Sequence, residues 1–575
     1  MPDKIKPTLP SRKILIAVLF VVASAVFLNT LYNGFVYDDE SIIVNNGWIR
    51  DFSHIPEIFS STLWGFKLGA DSNYYRPLVH LVLLAEYQVF GLAAWAYHLV
   101  NVIFHGLNTV LVYLIASHLL ERPYGAPQDN DAPYPGSFTA KASLLAFAAA
   151  LLFAVHPVHV EAVAPASVVA ELSLSFFYLA SLYLYMRSSR ACATVHALLI
   201  AASIVFFAVD IFLKETAVTL VAVIIAYDLT ADGSLRLNAR SVVRSGLRYV
   251  PYFLIVLFYM LTRSHFLGGL VPLKQSAYLS TFQYLLNIPP LLSEYIRILF
   301  YPAGLNAFYT FHPIFSVGDY DIASLIPLIL FIPVFIFLLT RYRSAALFCV
   351  LFALLALSPA LYIPGVGVRG NAFAERYLYI PSVGFSIVIP VLVYWIIEKA
   401  GGPAAFKKKA LSFLIIIVVI SAVWSVQTFR RNRVWESDYT LWKDTAEKTK
   451  DSKVVYINLG SAADSLGHRE EAMSAYTKAL EIAPYSAELH NNIGIQYLEL
   501  RRLDDAVAAF KKAYTLTSNF GRLAVIRSNL GDAYMMKGMV DEAVVEYSEA
   551  LNLDPGNTLL KLKLERAGRL KRKRR

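Results

Sequence analysis

"ILIAVLFVVASAVFLNTLYNGFVYDDESIIVNN", residues 14–46, runs from an unbroken apolar segment straight into three consecutive acids, Asp38, Asp39 and Glu40. A helix needs about 20 apolar residues to cross the hydrocarbon of a bilayer, and residues 14–31 come close to that length. The stretch therefore reads as a membrane span with a carboxylate cluster at its exit. It is long, shows no clear small-residue cleavage site and is followed by more spans, so it reads as a retained span rather than a signal peptide. The acids have two readings: a polar stop signal, or a catalytic carboxylate held at the membrane surface.

The remaining composition sets the class. Of 575 residues, 57% are hydrophobic and 16% charged, and the mean hydropathy is +0.51. A soluble domain is about 45–50% apolar and about 25% charged, so one soluble globule is excluded. The apolar excess is confined to residues 1–428, while 429–575 reads as soluble and helix-rich. Cys192 and Cys349 provide neither a disulfide framework nor a ligand cluster. About eleven spans are expected, near 14–31, 97–119, 142–155, 167–186, 194–212, 216–229, 250–263, 323–340, 345–363, 379–397 and 410–427. The apolar stretches 77–92 and 281–301 carry Glu86, or Pro289, Glu294 and Arg297, and read as interfacial or re-entrant helices.

The N-terminal Lys4, Lys6, Arg12 and Lys13 place that end in the cytoplasm. Threading the spans from there leaves the basic loops "RSSR", "LRLNARSVVRSGLR", "RYRS" and "EKAGGPAAFKKK" inside, as the positive-inside rule requires. Arg430, Arg431 and Arg433 disagree, because they flank the last span on the outer side. The outer loops then collect ionisable residues at membrane borders: Asp38, Asp39, Glu40 and Arg76; His156, His159 and Glu161; Lys214 and Glu215; Arg369, Glu375 and Arg376. Charges beside lipid are costly and tend to face a bundle interior or a wet cavity, so one shared site is expected. Asp210 lies one helical turn before Lys214, so the two can pair along one helix face.

Each motif has a plainer reading too. "HPVHVEAV" suits a polar turn, because Pro157 ends a helix. Its His156, His159 and Glu161 do not share one helix face, which weakens a metal reading. "KET" suits a snorkelling lysine beside a surface acid, and "AERYLYIP" an aromatic interface belt. His98, Asn101, His105 and Asn108 recur along one span and read as interhelical hydrogen-bonding glue.

Behind the membrane part, residues 453–558 repeat. Gly460 and Gly494 stand 34 residues apart, and Gly531 follows after a three-residue insertion near "SNFGRL". Around them Leu459, Ala472, Tyr476 and Ala479 recur as Ile493, Ala506, Phe510 and Ala513, then as Leu530, Ala543, Tyr547 and Ala550. This is the tetratricopeptide pattern of paired helices, about three units long. Residues 429–452 read as a linker helix and 559–575 as a solvated basic tail beside lipid headgroups.

The series "FVYDDESIIVNN", "YYRPLVHL", "YHLVNVIFH", "FAVHPVHVEAVA", "LKET" and "AERYLYIPS", with tandem repeats behind it, resembles the TMTC-like family of transmembrane and tetratricopeptide repeat-containing proteins, relatives of protein O-mannosyltransferases. The resemblance implies an all-α chain: a multi-span GT-C glycosyltransferase domain in front of an α-solenoid of repeats. It implies a polyprenyl-phosphate-linked hexose, mannose, as donor and a protein hydroxyl as acceptor, docked on the repeats and modified on the extracytoplasmic face with inversion. On that pattern Asp38 is the general base and Asp39 the second candidate. Arg76, Lys214 and Arg376 bind the donor phosphate, and Glu40, His156, His159, Glu161, Glu215, Arg369 and Glu375 line the sugar or acceptor pocket. Whether a divalent cation, Mg or Mn, takes part stays open, with Asp38, Asp39 and Glu161 as oxygen donors of the right hardness. Nucleic acid is not an expected partner. The membrane is the cytoplasmic membrane of a bacterium or archaeon, with the repeats outside, or that of the endoplasmic reticulum in a eukaryote. Two alternatives are a non-enzymatic scaffold that recruits partners through its repeats and a lipid-linked polysaccharide ligase.

Overall fold

The computed structural model describes residues 10–67, 72–121, 135–230, 239–269, 279–341, 345–362, 373–400 and 406–574. The chain forms two compact units, Met1–Ser437 and Asp438–Arg575, and the described residues contain helices and no strands. The expected boundary at residue 428 moves accordingly. The last apolar helix runs on to Asn432, and the expected linker is divided between the two units.

The first unit opens with α1 (Arg12–Phe27), the short α2 (Ile55–Ser60), α3 (Pro77–Phe90), α4 (Ala94–Leu120) and α5 (Pro135–Val155). Helix α5 stops where Pro157 cannot continue it, and the His156 side chain accepts the freed N–H of Val158. A 48° bend leads into the single turn α6 (Val160–Val163). There follow α7 (Val169–Ser188), α8 (Ala193–Leu213), α9 (Thr219–Thr230), α10 (Ala239–Leu267), α11 (Thr281–Phe300), α12 (Ile322–Arg341), α13 (Ala345–Tyr362), α14 (Ser382–Ala400) and α15 (Phe406–Asn432). Seven of the described helices, or eight when the bent pair counts as one, are long and apolar enough to cross a membrane, which makes this a multi-pass membrane protein. Fewer reach that length than the eleven expected. Helix α9 has 12 residues, and the apolar parts of α12 and α13 cover 322–337 and 345–361. At about 1.5 Å per residue α9 extends roughly 18 Å, short of a hydrocarbon core of about 30 Å.

Helix α4 is the hub, and its polar row is what joins it to its neighbours. Asn101 donates to the carbonyls of Val163 and Pro165, and Asn108 donates to that of Leu172. His105 bridges the Ala154 carbonyl and the Tyr379 hydroxyl. In an apolar surround such bonds have no water competing for them, so the row fixes which helices meet. At α14 the link is steric. A Cβ on Gly384 would fall 2.2 Å from the carbonyl oxygen of Cys349.

The second unit contains α16 (Asp438–Lys448) and the helix pairs α17 (Lys453–Ser465) with α18 (Arg469–Ile482), α19 (Ala487–Glu499) with α20 (Leu503–Thr515), and α21 (Phe520–Met536) with α22 (Val540–Leu553). The three repeat glycines lie flat against aromatic rings. A Cβ at Gly460, Gly494 or Gly531 would come within 2.6 Å of Tyr476, Phe510 or Tyr547, respectively. The expected solvated tail is instead a helix, α23 (Thr558–Arg574), with Leu560 and Ala567 buried seven residues apart on one face.

Replacing Gly384 by alanine forces α13 and α14 apart at a backbone contact that no rotamer change can relieve. We expect Gly384→Ala to lose about 1–3 kcal/mol, read as a lowered thermal unfolding midpoint of the detergent-solubilised chain.

Candidate active site

The turn after α1 sends its two aspartates in opposite directions. Tyr37 takes a left-handed conformation (φ 58°), uncommon for an aromatic residue. The Asp39 carboxylate is fully buried and accepts three backbone N–H groups: Val36 at 3.1 Å, Ala166 at 3.1 Å and Ser167 at 2.7 Å. These bonds tie the turn to the start of α7. Burial still pushes Asp39 up to about 6 against those donors. Asp38 is half-buried, and among the described residues no hydrogen bond reaches its carboxylate. Burial raises its pKa above the ordinary carboxylate value, opposed by the charges of Arg376 and Lys67. Glu40 is exposed on the following turn.

Around Asp38 the chain assembles cations, each already facing an acid from another segment. Arg76, immediately before α3, grips Glu215 with both ends of its fork at 2.6 and 2.9 Å, and it stacks over Tyr74. Against the burial that would raise it, this guanidinium holds Glu215 at about 2. Lys214, at the end of α8, pairs with Glu171 in the first turn of α7. Arg376 donates to Glu161 at 2.9 Å, and the N–H groups of Glu375 and Arg376 hold the other oxygen of that carboxylate. The Tyr377 ring lies beside both Lys214 and Arg376, at 5.4 and 5.6 Å from its centroid. Asp38 and Arg376 are close enough to perturb each other electrostatically, as are Lys214 and Arg76. Arg76, Lys214, Arg376 and Asp38 thus share one end of the bundle.

Several candidate residues sit differently from expectation. His156 and His159 are fully buried. His156 bridges the Leu299 carbonyl and the Val158 N–H, and His159 contacts the Ser382 hydroxyl while packing on Phe153 and Tyr379. They are packing groups and do not line an open pocket. Glu375 is also fully buried, bound by Arg431, the Tyr309 hydroxyl and the Asn306 N–H, and burial raises its pKa. Glu161 is 1% exposed and acts on the site through Arg376. Asp210 does not pair with Lys214. Among the described residues its carboxylate has no hydrogen-bond partner, and the lysine turns to Glu171. Arg369 lies outside the described residues, as do Lys4 and Lys6.

Other residues join the site that the sequence did not single out. Glu171 is a lone acid in the apolar run "VVAELSLSFF", a signal that an acid inside a span always carries. Arg431, at odds with the orientation rule, is 8% exposed and bound to Glu375 and the Leu305 carbonyl, so it is a structural ion rather than a topological one. Lys67 reaches the Ser41 hydroxyl and contributes positive charge near Asp38. Among the described residues no group of three His, Cys, Asp or Glu side chains is arranged to hold a metal ion. The oxygens of Asp39 and Glu161 are taken by N–H donors, so the suggested trio with Asp38 fits a divalent cation poorly.

Comparison with known proteins agrees with the motif resemblance. Models of the tetratricopeptide repeat match residues 454–486, 475–508 and 524–557. The chain is 28% identical over 538 residues to "Protein O-mannosyl-transferase TMTC3" of Homo sapiens, covering 87% of this chain and 55% of that protein. It is 26% identical over 560 residues to "Protein O-mannosyl-transferase Tmtc3" of Drosophila melanogaster, covering 88% and 59%. It is 25% identical over 516 residues to "Protein O-mannosyl-transferase TMTC1" of Homo sapiens, covering 81% and 54%. The chain therefore spans little more than half the length of these relatives.

The two aspartates should separate in a stability measurement. Asp39→Ala strands three buried N–H groups and should cost about 2–4 kcal/mol. Asp38→Asn, which breaks no hydrogen bond, should stay within about 0.5 kcal/mol of wild type. Thermal unfolding of both purified variants checks this.

Proposed function

We propose that this chain is a membrane glycosyltransferase that moves a hexose, mannose by analogy with the names of its relatives, from a polyprenyl-phosphate donor to a serine or threonine hydroxyl of a protein. The observation that carries this reading is the unbonded, half-buried Asp38 carboxylate facing a cluster that contains Arg376, Lys214 and Arg76. A base and a phosphate clamp are the two parts that such a transfer needs.

In the reaction, Asp38 takes the proton of the acceptor hydroxyl as its oxygen attacks the anomeric carbon. The bond between that carbon and the phosphate oxygen breaks, and the electron pair leaves with the polyprenyl phosphate. Arg376, Lys214 and Arg76 meet the negative charge gathering on that phosphate. Direct displacement inverts the anomeric centre and forms no covalent enzyme intermediate. Burial serves the base, because a raised pKa makes Asp38 a better proton acceptor once ionised. Asp39 positions the turn that presents it. The site faces the side opposite the N-terminus, in the periplasm, the cell exterior or an endoplasmic-reticulum lumen, and the repeats dock the protein acceptor.

The test is transfer in proteoliposomes from a panel of polyprenyl-phosphate sugars to serine- and threonine-rich acceptor peptides. Asp38→Asn should reduce kcat by about 10²–10⁴-fold. Equal turnover in wild type and variant would remove Asp38 as base, and no transfer from any donor would favour a scaffold role.

The pH profile gives a separate check. The base works ionised and its pKa is raised by burial, so activity should fall on acidification at a pH above the ordinary aspartate value of about 3.9. An acid limb at or below that value would contradict the assignment.

A further inference from the structure

Lys67 differs from the other cations near Asp38 in what it faces. Arg76, Lys214 and Arg376 are each neutralised by a carboxylate, that of Glu215, Glu171 and Glu161 respectively. Lys67 is exposed, and no carboxylate among the described residues pairs with it. Its ammonium group donates to the neutral Ser41 hydroxyl at 2.8 Å and lies 5.2 Å from the centre of the Trp64 ring. Neither contact cancels its charge. That charge reaches Asp38, whose carboxylate it helps to keep ionised.

An exposed lysine is ordinarily a mobile, solvated group. This one is held. Phe66, next to it in sequence, packs edge-on against Trp48 and His80, with ring centres 6.2 and 5.9 Å away. His80 is buried and bonded to the Leu63 carbonyl at 3.0 Å and to the Asn46 side chain at 3.2 Å. The Leu63 N–H donates in turn to the Tyr74 carbonyl at 2.8 Å. The loop that carries Lys67 is thereby fixed to α3 and to the segment after Asp38, and Trp64 and Ser41 fix the side chain itself. A cation positioned before its ligand arrives loses less entropy on binding it.

Its place says which ligand. Ser41 follows Asp38 by three residues in one helical turn, so their Cβ atoms stand about 5–6 Å apart on the same side. Asp38 therefore lies between two cations. Arg376 belongs to the partly buried clamp assigned to the donor phosphate, while Lys67 stands at the edge open to water. The lipid donor comes from the bilayer and the protein acceptor from water, so Lys67 is on the acceptor's approach.

We infer that Lys67 selects acceptors that carry an acidic residue two positions from the modified serine or threonine, an inference that rests on the transferase reading. In an extended chain, side chains two positions apart share one face and stand about 7 Å apart. With the hydroxyl at Asp38, such a carboxylate meets the Lys67 ammonium. Lys67 gives up only a neutral hydroxyl to bind it, whereas Arg76, Lys214 or Arg376 would have to release a carboxylate. Acceptor charge is then read without disturbing the phosphate clamp.

The experiment measures steady-state transfer by the full chain in proteoliposomes, from polyprenyl-phosphate mannose to peptides with a single threonine. The peptides differ only two positions to either side of it, where they carry Glu, Gln or Lys. At low ionic strength the acceptor KM should be about three- to fivefold lower for the Glu peptides than for the Gln peptides, and highest for the Lys peptides. High salt should narrow the difference. Lys67→Gln should remove the preference and leave the donor KM unchanged. Lys67→Arg should retain it, and Lys67→Glu should reverse it in favour of the Lys peptides, which a purely structural lysine would not do. Lys408→Gln, which removes an exposed charge at the start of α15, should leave the preference intact. A wild type indifferent to peptide charge, or a preference that survives both Lys67→Gln and Lys67→Glu, overturns the inference while the transferase reading stands. A raised donor KM with unchanged peptide preference would assign Lys67 to the donor phosphate and overturn it equally. No transfer from any donor to any peptide sinks the transferase reading, and this inference with it.

Discussion

A carboxylate buried beside hydrocarbon must be neutralised or held by a cation, and Glu161 is held by Arg376. The first unit solves this problem repeatedly at one end of its bundle. Glu171 meets Lys214, Glu215 meets Arg76, and Glu375 meets Arg431. Each pair joins segments far apart in sequence, so the ion pairs staple loop to loop where the helices end. Such pairs contribute little net stability, because the desolvation of both charges offsets their attraction. Their value is in fixing position. Under the proposed reading the balance has a further use: a phosphate entering the cluster must draw a cation partly away from its carboxylate, which favours a ligand that carries its own negative charge.

The neighbours Asp38 and Asp39 show how far side-chain identity falls short of role. Both are aspartates, both follow the first span, and "YDDE" offers nothing to rank them. The ranking comes from Ala166 and Ser167, more than a hundred residues away, whose N–H groups take the second carboxylate and leave the first unbonded. Tyr37 in its left-handed conformation reverses the chain direction that makes this possible.

The architecture was readable because its signals are local. Apolar run length marks the membrane helices, and the 34-residue spacing of glycine and aromatic residues marks the repeats. The polar row on α4 was readable as interhelical glue for the same reason. Partner choice was not readable. Lys214 has Asp210 one turn away yet binds Glu171, and the histidines of "HPVHVEAV", which look like site residues in one dimension, are packed inside the bundle. Arg431 misled for a related reason. A positive charge at a helix end counts toward topology only while it faces water, and this one faces Glu375.

Fewer of the described helices reach spanning length than the eleven spans expected, and the segments expected to gather together are joined by ion pairs. Helix α9 is too short to cross alone, but it leaves the cluster at Glu215, and α10 returns to it, where Arg263 donates to the Asn73 carbonyl. Helices α12 and α13 are both short and pack against each other before the segment that carries Glu375 and Arg376. A helix that stops partway still reverses the chain, so counting it as a span leaves the parity of every later loop unchanged. Loop parity depends on reversals of direction, and apolar periodicity reports those more faithfully than it reports whether a helix reaches the far side.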